Sequence, residues 1–463
     1  MAANLTRRGF CTAMAGASAA LALPVSASTP MPLTARMAKA QIAPPQYAMT
    51  DVWSYDGKIP GSTLRIPQGG RLKRRLVNDL PVPTSIHWHG IRIDNAMDGV
   101  AGLTQDAVPP GEIFDYDFTT PDAGTYWYHA HTNSMEQVAR GLAGPLIVEE
   151  QEPPDVDRDE VILFDDWLLN PDTAQFSEPF NHPMMLSHAG RIGNLLGANG
   201  TYDPVLPAKR HERLRLRLIN AANARILDLR LHGLKGWTIA LDGMPLEKPE
   251  PVDGAITLAP AQRVDLIVDV IADTGEEAGL LHLANDDSWQ VLVRMPVTGK
   301  AATHTRDAPL ALPPNPRMDV PGLDTAQQLE MTMEGGAMRG LSSANYQGRD
   351  MGFRELMQKG QFWALAGQVG MTETPFAQLN MGETVRLKLM NDTVFAHAMH
   401  LHGMHFRQVR ANGSLGPMRD TILSLPNQPL EIAFVAHNPG KWLFHCHMLA
   451  HAASGMNTWI EVA

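Results

Sequence analysis

Cysteine is nearly absent from this chain: only Cys11 and Cys446 occur among 463 residues. No disulfide framework can therefore hold the fold, and a lone thiol in so long a sequence points to burial or to a metal ligand. Positive charge is also in deficit, with 38 Lys and Arg against 49 Asp and Glu and a formal net charge of −11. Phosphate binding relies on a basic face, so nucleic acid is not an expected partner. Long apolar runs are missing too. The one candidate, an Ala-rich stretch ending at Leu23, falls short of the roughly 20 residues that a spanning helix needs.

That short stretch fits an export signal instead. Thr6-Arg7-Arg8-Gly9-Phe10 precedes it and Val25-Ser26-Ala27 follows it, the arrangement of a twin-arginine signal cleaved after Ala27. Residues 1–27 are thus expected to engage the twin-arginine export machinery and to be removed, leaving a periplasmic or otherwise exported protein. Cys446 would then be the single thiol in an oxidising compartment.

What the chain does contain is a long-period repeat. Three alternating segments end in Asn and lead to His-Gly. They are Arg71-Leu72-Lys73-Arg74-Arg75-Leu76-Val77-Asn78 before His89-Gly90, Arg213-Leu214-Arg215-Leu216-Arg217-Leu218-Ile219-Asn220 before His232-Gly233, and Val385-Arg386-Leu387-Lys388-Leu389-Met390-Asn391 before His402-Gly403. Alternation of Leu with Arg or Lys marks strands with one buried and one wet face, and the repeat length is that of a domain. With Pro- and Gly-rich turns throughout, three β-sandwiches in series are expected. The acidic or Pro-rich stretches 149–159 and 308–321 read as linkers, which gives domains over 40–150, 157–300 and 322–463.

Histidines fall into four short clusters: His87-Trp88-His89, His129-Ala130-His131, His397-Ala398-Met399-His400-Leu401-His402, and His445-Cys446-His447 followed by His451. A strand sends residues i and i+2 to one face, so each His-x-His pair aims two imidazoles at one point. Burying eight unpaired imidazoles at roughly 1 to 3 kcal/mol each would rival a protein's whole stability, and a metal relieves that cost. Cys446, His451 and Met456, with His397, make up the two-His, one-Cys, axial-Met set of a blue-copper electron-transfer centre. Zinc prefers a closed site without a thioether. If Cys446 points to one face of its strand, His445 and His447 point to the other and can serve a separate copper cluster.

These four clusters resemble the signature segments of the multicopper oxidase family, the three-domain laccases and cuprous oxidases, along essentially the whole mature chain. The resemblance implies an all-β protein of three consecutive cupredoxin-like Greek-key β-sandwich domains and four copper ions. On the family pattern His397, Cys446, His451 and Met456 hold the type 1 copper, and His87 and His400 the type 2 copper. His89, His129 and His447 would hold one type 3 copper, and His131, His402 and His445 the other, in a trinuclear cluster shared by the first and third domains. Four one-electron oxidations of a small substrate, a phenol, Cu(I) or Mn(II), would then reduce O2 to water, in a monomer.

Several positions depart from that pattern or bear on substrate. Asp98 matches a family acid that assists proton delivery, whereas the second acid of many bacterial relatives is replaced by Ala452, and Ala450 also lacks a carboxylate. Ala398 stands where Pro is usual. Arg230 occupies the place of a paired histidine in the middle repeat, so His232 is expected to be structural and the middle domain a spacer. Met331, Met333, Met338, Met351 and Met357 suit either packing or Cu(I). Two other classes share the scaffold: a copper-free cupredoxin-like envelope protein, disfavoured because all twelve ligands remain, and a copper nitrite reductase, disfavoured by the third domain and the type 3 pairs.

Overall fold

The computed structural model describes residues 29–463; the signal expected over residues 1–27 lies outside them. Regular structure is nearly all strand. Among the described residues no helix is long and apolar enough to cross a membrane.

The strands build three sandwiches in succession. In the first, a sheet ordered Thr50–Tyr55, Met31–Ala40, Arg71–Asp79, Ile113–Thr119 packs on one ordered Leu64–Pro67, Ala143–Glu149, Gly124–Ala130, Ile86–His89. Trp88 bridges them, meeting Tyr116 and Phe118 of the opposite sheet. The second and third sandwiches each combine a six-stranded and a five-stranded sheet. One parallel pairing recurs in all three: Met31–Ala40 with Arg71–Asp79, Arg158–Trp167 with Arg213–Asn220, and Gln327–Gly335 with Glu383–Asn391. Parallel neighbours cannot be joined by a hairpin, so the chain must cross between sheets, which is the Greek-key wiring of cupredoxin-like domains.

The repeated Asn explains itself in this setting. At each strand end its side chain satisfies backbone groups that the ladder abandons. Asn78 Nδ2 donates to the carbonyls of Val82 and Val108, at 2.9 and 2.8 Å, and Oδ1 accepts from Leu80 N. Asn220 does the same with Arg225, Leu258 and Ala222, and Asn391 with Phe395, Ser424 and Thr393. All three are buried, where an unmet backbone group is costly.

One expectation needs correction. Alternation in Arg213–Asn220 suggests a wet Arg face, but every residue of that strand is buried. The reason is the first sandwich and its linker, which close over the Arg side: Arg217 donates to Thr125 Oγ1 at 2.9 Å, and Arg215 to Glu150 at 2.7 Å and to Asp265 at 2.6 Å. Paired guanidinium groups make a charged strand face tolerable inside.

The apolar core is divided unevenly. Residues of the first and last sandwiches, joined by Trp167, Phe176, Leu186 and Ala224 of the middle segment, form one continuous buried cluster from Leu33 through Trp88 and Met399 to Val462. The middle sandwich has a core of its own around Leu216, Leu266 and Leu280. The first and last sandwiches therefore meet as one body, and the histidine clusters lie at that seam.

Replacing Asn220 by Ala removes three buried hydrogen bonds and leaves their partners unmet. The expected loss is about 2 to 4 kcal/mol, read as a lower midpoint in thermal unfolding of the copper-free protein. An unchanged midpoint would contradict this account of the repeat.

Candidate metal centres

Strand register brings the histidine clusters together. In the first sandwich Ile86–His89 pairs with Gly124–Ala130 so that His87 lies opposite His129. In the last, His397–Leu401 pairs with Gly440–Cys446, setting His400 opposite His445 and Met399 opposite Cys446. The turn after His89 is taken by Gly90 at φ 86°, a left-handed conformation that glycine adopts without strain.

The imidazoles of the two sandwiches converge into contiguous groups. Ligand atoms of His87, His89 and His400 lie within 4.8 Å of one another, as do those of His89, His129 and His447, and those of His131, His402 and His445. His402 Nε2 is 3.1 Å from His445 Nε2, and His129 Nε2 is 3.4 Å from His447 Nε2. Cys446 turns to the other side of its strand. Its Sγ lies 3.6 Å from His397 Nδ1 and 3.7 Å from His451 Nδ1, with those two nitrogens 3.1 Å apart. Met456 is fully buried and locked to this centre by backbone: its carbonyl accepts from Cys446 N at 3.1 Å and its N–H donates to the His451 carbonyl at 2.9 Å.

Second contacts decide which ring nitrogens carry hydrogen. His87 Nδ1 donates to the Asp98 carbonyl (2.8 Å), His400 Nδ1 to the Asp420 carbonyl (2.9 Å), His445 Nδ1 to the Cys446 carbonyl (2.9 Å) and His129 Nδ1 to the Ala130 carbonyl (3.1 Å). His402 Nδ1 donates to Asp98 Oδ2 (2.9 Å) and His89 Nε2 to Asp420 Oδ1 (3.2 Å). At the cysteine centre His451 Nε2 donates to the His188 carbonyl (2.6 Å). His397 Nε2 donates to Thr393 Oγ1 (2.8 Å), whose own hydrogen goes to Asn391. These acceptors have no hydrogen to offer, so in each ring the inward nitrogen bears a lone pair. His87 Nε2, His89 Nδ1 and His400 Nε2 have no partner at all.

Burial keeps these rings neutral. It pushes His89, His129, His397, His402, His445 and His447 well below the usual histidine range, and His451 down to about 4. The Cys446 thiol is pushed up to about 12 by the same burial. Neutral lone pairs facing each other at 3.1 Å repel unless a cation stands between them. Two nitrogens about 2.0 Å from one metal ion at a near-tetrahedral angle are roughly 3.3 Å apart, which matches the spacings here. A soft cation also displaces the Cys446 proton. The donor sets fit copper.

Asp98 is fully buried and joins two rings, since its Oδ1 also lies 3.3 Å from His87 Nδ1. Ala452 and Ala453 line a pocket of about 220 Å³ that reaches His131 and His445, and no carboxylate is among its walls. Of the five methionines, Met331, Met333 and Met351 are core residues, while Met338 and Met357 are 73% and 44% exposed. His232 is exposed, and Arg230 stacks on Trp289 at 4.1 Å.

Sequence reasoning missed Asp420, Arg263 and His405, all buried beside the imidazoles. Asp420 contacts His89 and His400 and is paired with Arg263 of the middle sandwich at 2.8 and 2.5 Å. Burial opposes its charge, yet the Arg263 guanidinium, with His89 and His400, holds its carboxyl well below the usual range. The middle sandwich is therefore not a mere spacer, because its Arg263 holds the acid that contacts two of the rings. A signal was present in Arg263-Val264-Asp265, but nothing in its surroundings singled it out from the other Arg-rich strands.

Fold and donor sets together define a copper oxidase assembled from cupredoxin-like sandwiches. Two sequence profiles, each described as Multicopper oxidase, match residues 36–153 and 349–463. The chain is 31% identical to multicopper oxidase MmcO of Mycobacterium tuberculosis, covering 88% of this chain and 82% of that protein. It is 27% identical to the copper resistance protein A homolog of Pseudomonas syringae pv. tomato, over 88% of each. The crystal structure of Lac15 from a marine microbial metagenome superposes with a TM-score of 0.76 at 39% identity, covering 94% of this chain and 100% of that one. The chain belongs to the multicopper oxidase family, enzymes that use copper to pass electrons from a reducing substrate to O2.

The neutral buried rings make the copper-free protein acid-sensitive. His451, held near 4, and His405, held near 3 by burial, stay unprotonated while an unfolded histidine takes up a proton below about 6.5. The unfolded chain then binds more protons, so stability falls as pH drops from about 6.5 toward 4, by roughly 1.4 kcal/mol per pH unit for each such ring. Chelator-stripped protein should melt progressively lower between pH 7.5 and 5; a flat profile would refute neutral burial.

Proposed function

We propose that this protein is an exported oxidase with four copper ions, one beside Cys446 and three among the imidazoles between the first and last sandwiches. In this reading His397, Cys446, His451 and Met456 hold the type 1 ion, and His87 and His400 the type 2 ion. His89, His129 and His447 hold one type 3 ion, and His131, His402 and His445 the other. The observation that carries it is the placement of Cys446: its sulfur faces His397 and His451, while its chain neighbours His445 and His447 face the imidazole cluster. When bound, the copper ions accept electrons singly near Cys446 and supply four of them to O2 at the cluster, which with four protons yields two waters.

The chain's own groups order the rest. Cys446 is one peptide bond from each of His445 and His447, so an electron on its sulfur has a short covalent path to the cluster, and the hydrogen bond from His445 Nδ1 to the Cys446 carbonyl adds a second link. On the outer side, His451 donates to the carbonyl of half-buried His188. The neighbouring segments are tied by Ala337 N to the Ser187 carbonyl at 2.8 Å, and they carry Met184 and Met338, 56% and 73% exposed. Phenols and Cu(I) are the reductants these exposed thioethers suit, and Asp392, exposed and paired with Arg339 beside Met338, keeps Mn(II) as a third candidate. The relative named for copper resistance supports the cuprous reading.

Protons reach the cluster by two routes in this reading. Asp98 holds the Nδ1 hydrogens of His87 and His402 from one side. From the other, the pocket at Ala452 admits water to His131 and His445 in place of a fixed acid.

Copper analysis should return about four ions per chain with an intense blue thiolate band and O2 uptake. In Cys446→Ser the band vanishes and oxidation of cuprous ion and of a phenol falls by at least about 10³-fold, with the imidazole cluster still metallated. A blue protein without O2 uptake would refute the oxidase reading. Ala452→Glu should speed reoxidation of the fully reduced enzyme above pH 6 by roughly tenfold or more, and no change there would dismiss the water-filled pocket as the limiting route. Export is tested by the N-terminus of the secreted form, expected at Ser28, and by retention of an Arg7→Lys, Arg8→Lys variant inside the cell.

A further inference from the structure

We propose that Arg263, a residue of the middle sandwich, is a positioning residue for the imidazole cluster, acting through Asp420 to fix the rings of His89 and His400. This rests on the four-copper reading above and deepens it: the cluster is set by all three sandwiches, not two.

The geometry is that of a clamp. Arg263 touches each sandwich at once. Its Nε donates to the Thr125 carbonyl in the first (3.1 Å), its Nη1 to the Ala261 carbonyl in the middle (3.1 Å), and Nη1 and Nη2 to the two Asp420 oxygens in the last (2.8 and 2.5 Å). Asp420 in turn uses a side-chain oxygen for His89 Nε2 and its backbone carbonyl for His400 Nδ1. Those two rings belong to different sandwiches and stack at a centroid distance of 3.8 Å. Fixing the outward nitrogen of each fixes the tautomer and the aim of the inward one.

A second middle-sandwich residue grips the same segment. Buried Asp242 accepts from Arg263 N and from Arg419 Nε, both at 2.8 Å, while Gln262 Nε2 donates to the Thr421 carbonyl at 3.0 Å. Residues 419–421 are thus held on both sides of Asp420. Gly90, which follows His89, leaves no slack: a Cβ there would collide with the Arg263 guanidinium and the Asp420 carboxylate. Adhesion alone is a poor reason for such an assembly, because a fully buried ion pair adds little net stability over apolar packing. What it does supply is a rigid, directional acceptor under two metal-facing rings. The cysteine centre shares none of these contacts.

The test compares Arg263→Lys, Arg263→Gln and Asp420→Asn with Arg213→Gln, a control that breaks the buried Arg213–Asp269 pair at the opposite end of the strand pairing that holds Arg263. Each protein is stripped, titrated with Cu(II), and followed by copper content, the blue thiolate band, the near-ultraviolet type 3 band and the type 2 paramagnetic resonance signal. Loss of the clamp is expected to lower copper affinity at the cluster roughly 10- to 100-fold and to displace the type 2 and type 3 signals while the blue band persists. Arg213→Gln lowers the melting temperature but leaves all three signals in place. Wild-type cluster signals retained in Arg263→Gln and Asp420→Asn would overturn the proposal. So would signals lost equally in the Arg213→Gln control. If Arg263→Gln does not fold, Arg263→Lys and Asp420→Asn decide by the same spectra. A wild type without cluster signals would instead refute the four-copper reading itself.

Discussion

Lone pairs facing one another in a dry seam are the constraint on which the rest of this structure depends. The rings of His87, His400, His402 and His445 each spend their single hydrogen outward, on a carbonyl or a carboxylate, and burial opposes a second proton on His402 and His445. The inward nitrogens of His402 and His445, 3.1 Å apart, are then tolerable only around a cation. The same logic explains a thiol whose proton burial makes hard to lose, because a soft metal removes that proton on binding. Stability of the fold and affinity for copper are thus two sides of one arrangement.

The architecture serves that seam. A continuous apolar core joins the first and last sandwiches, which removes freedom between the two halves of the cluster. Cys446 sits where one strand serves both faces, so the sulfur-bearing and imidazole-bearing sides need no separate alignment. The middle sandwich closes the arrangement from outside with Arg263 and Asp242, each fully buried and engaged with residues 419–421. Two of its other buried guanidiniums, Arg215 and Arg217, face the linker and the first sandwich, so a domain without metal donors is still bound tightly to its neighbours.

Much of the site was legible because its rules are local. Period-two spacing alone puts His87 beside His89 and turns Cys446 away from His445 and His447. The Asn repeat was equally legible, though only the three turns reveal why Asn recurs: its amide replaces two lost carbonyl partners at once. Where burial depends on a distant surface, reading failed. The Arg face of Arg213–Asn220 looked wet because nothing nearby announces that the first sandwich covers it. Three of the five methionines near the start of the last repeat proved to be core, a matter of which face meets the opposing sheet.

By itself the sequence determined the kinds of ligand, their pairing on strands and the threefold repetition, since these follow from backbone periodicity and side-chain chemistry. Only tertiary structure decided which pairs share a centre, which nitrogen of each ring faces inward, and that Arg263 meets Asp420 across 157 residues. Such contacts are set by how sandwiches dock. Docking sums many weak, distant interactions, and no short window of sequence contains that sum.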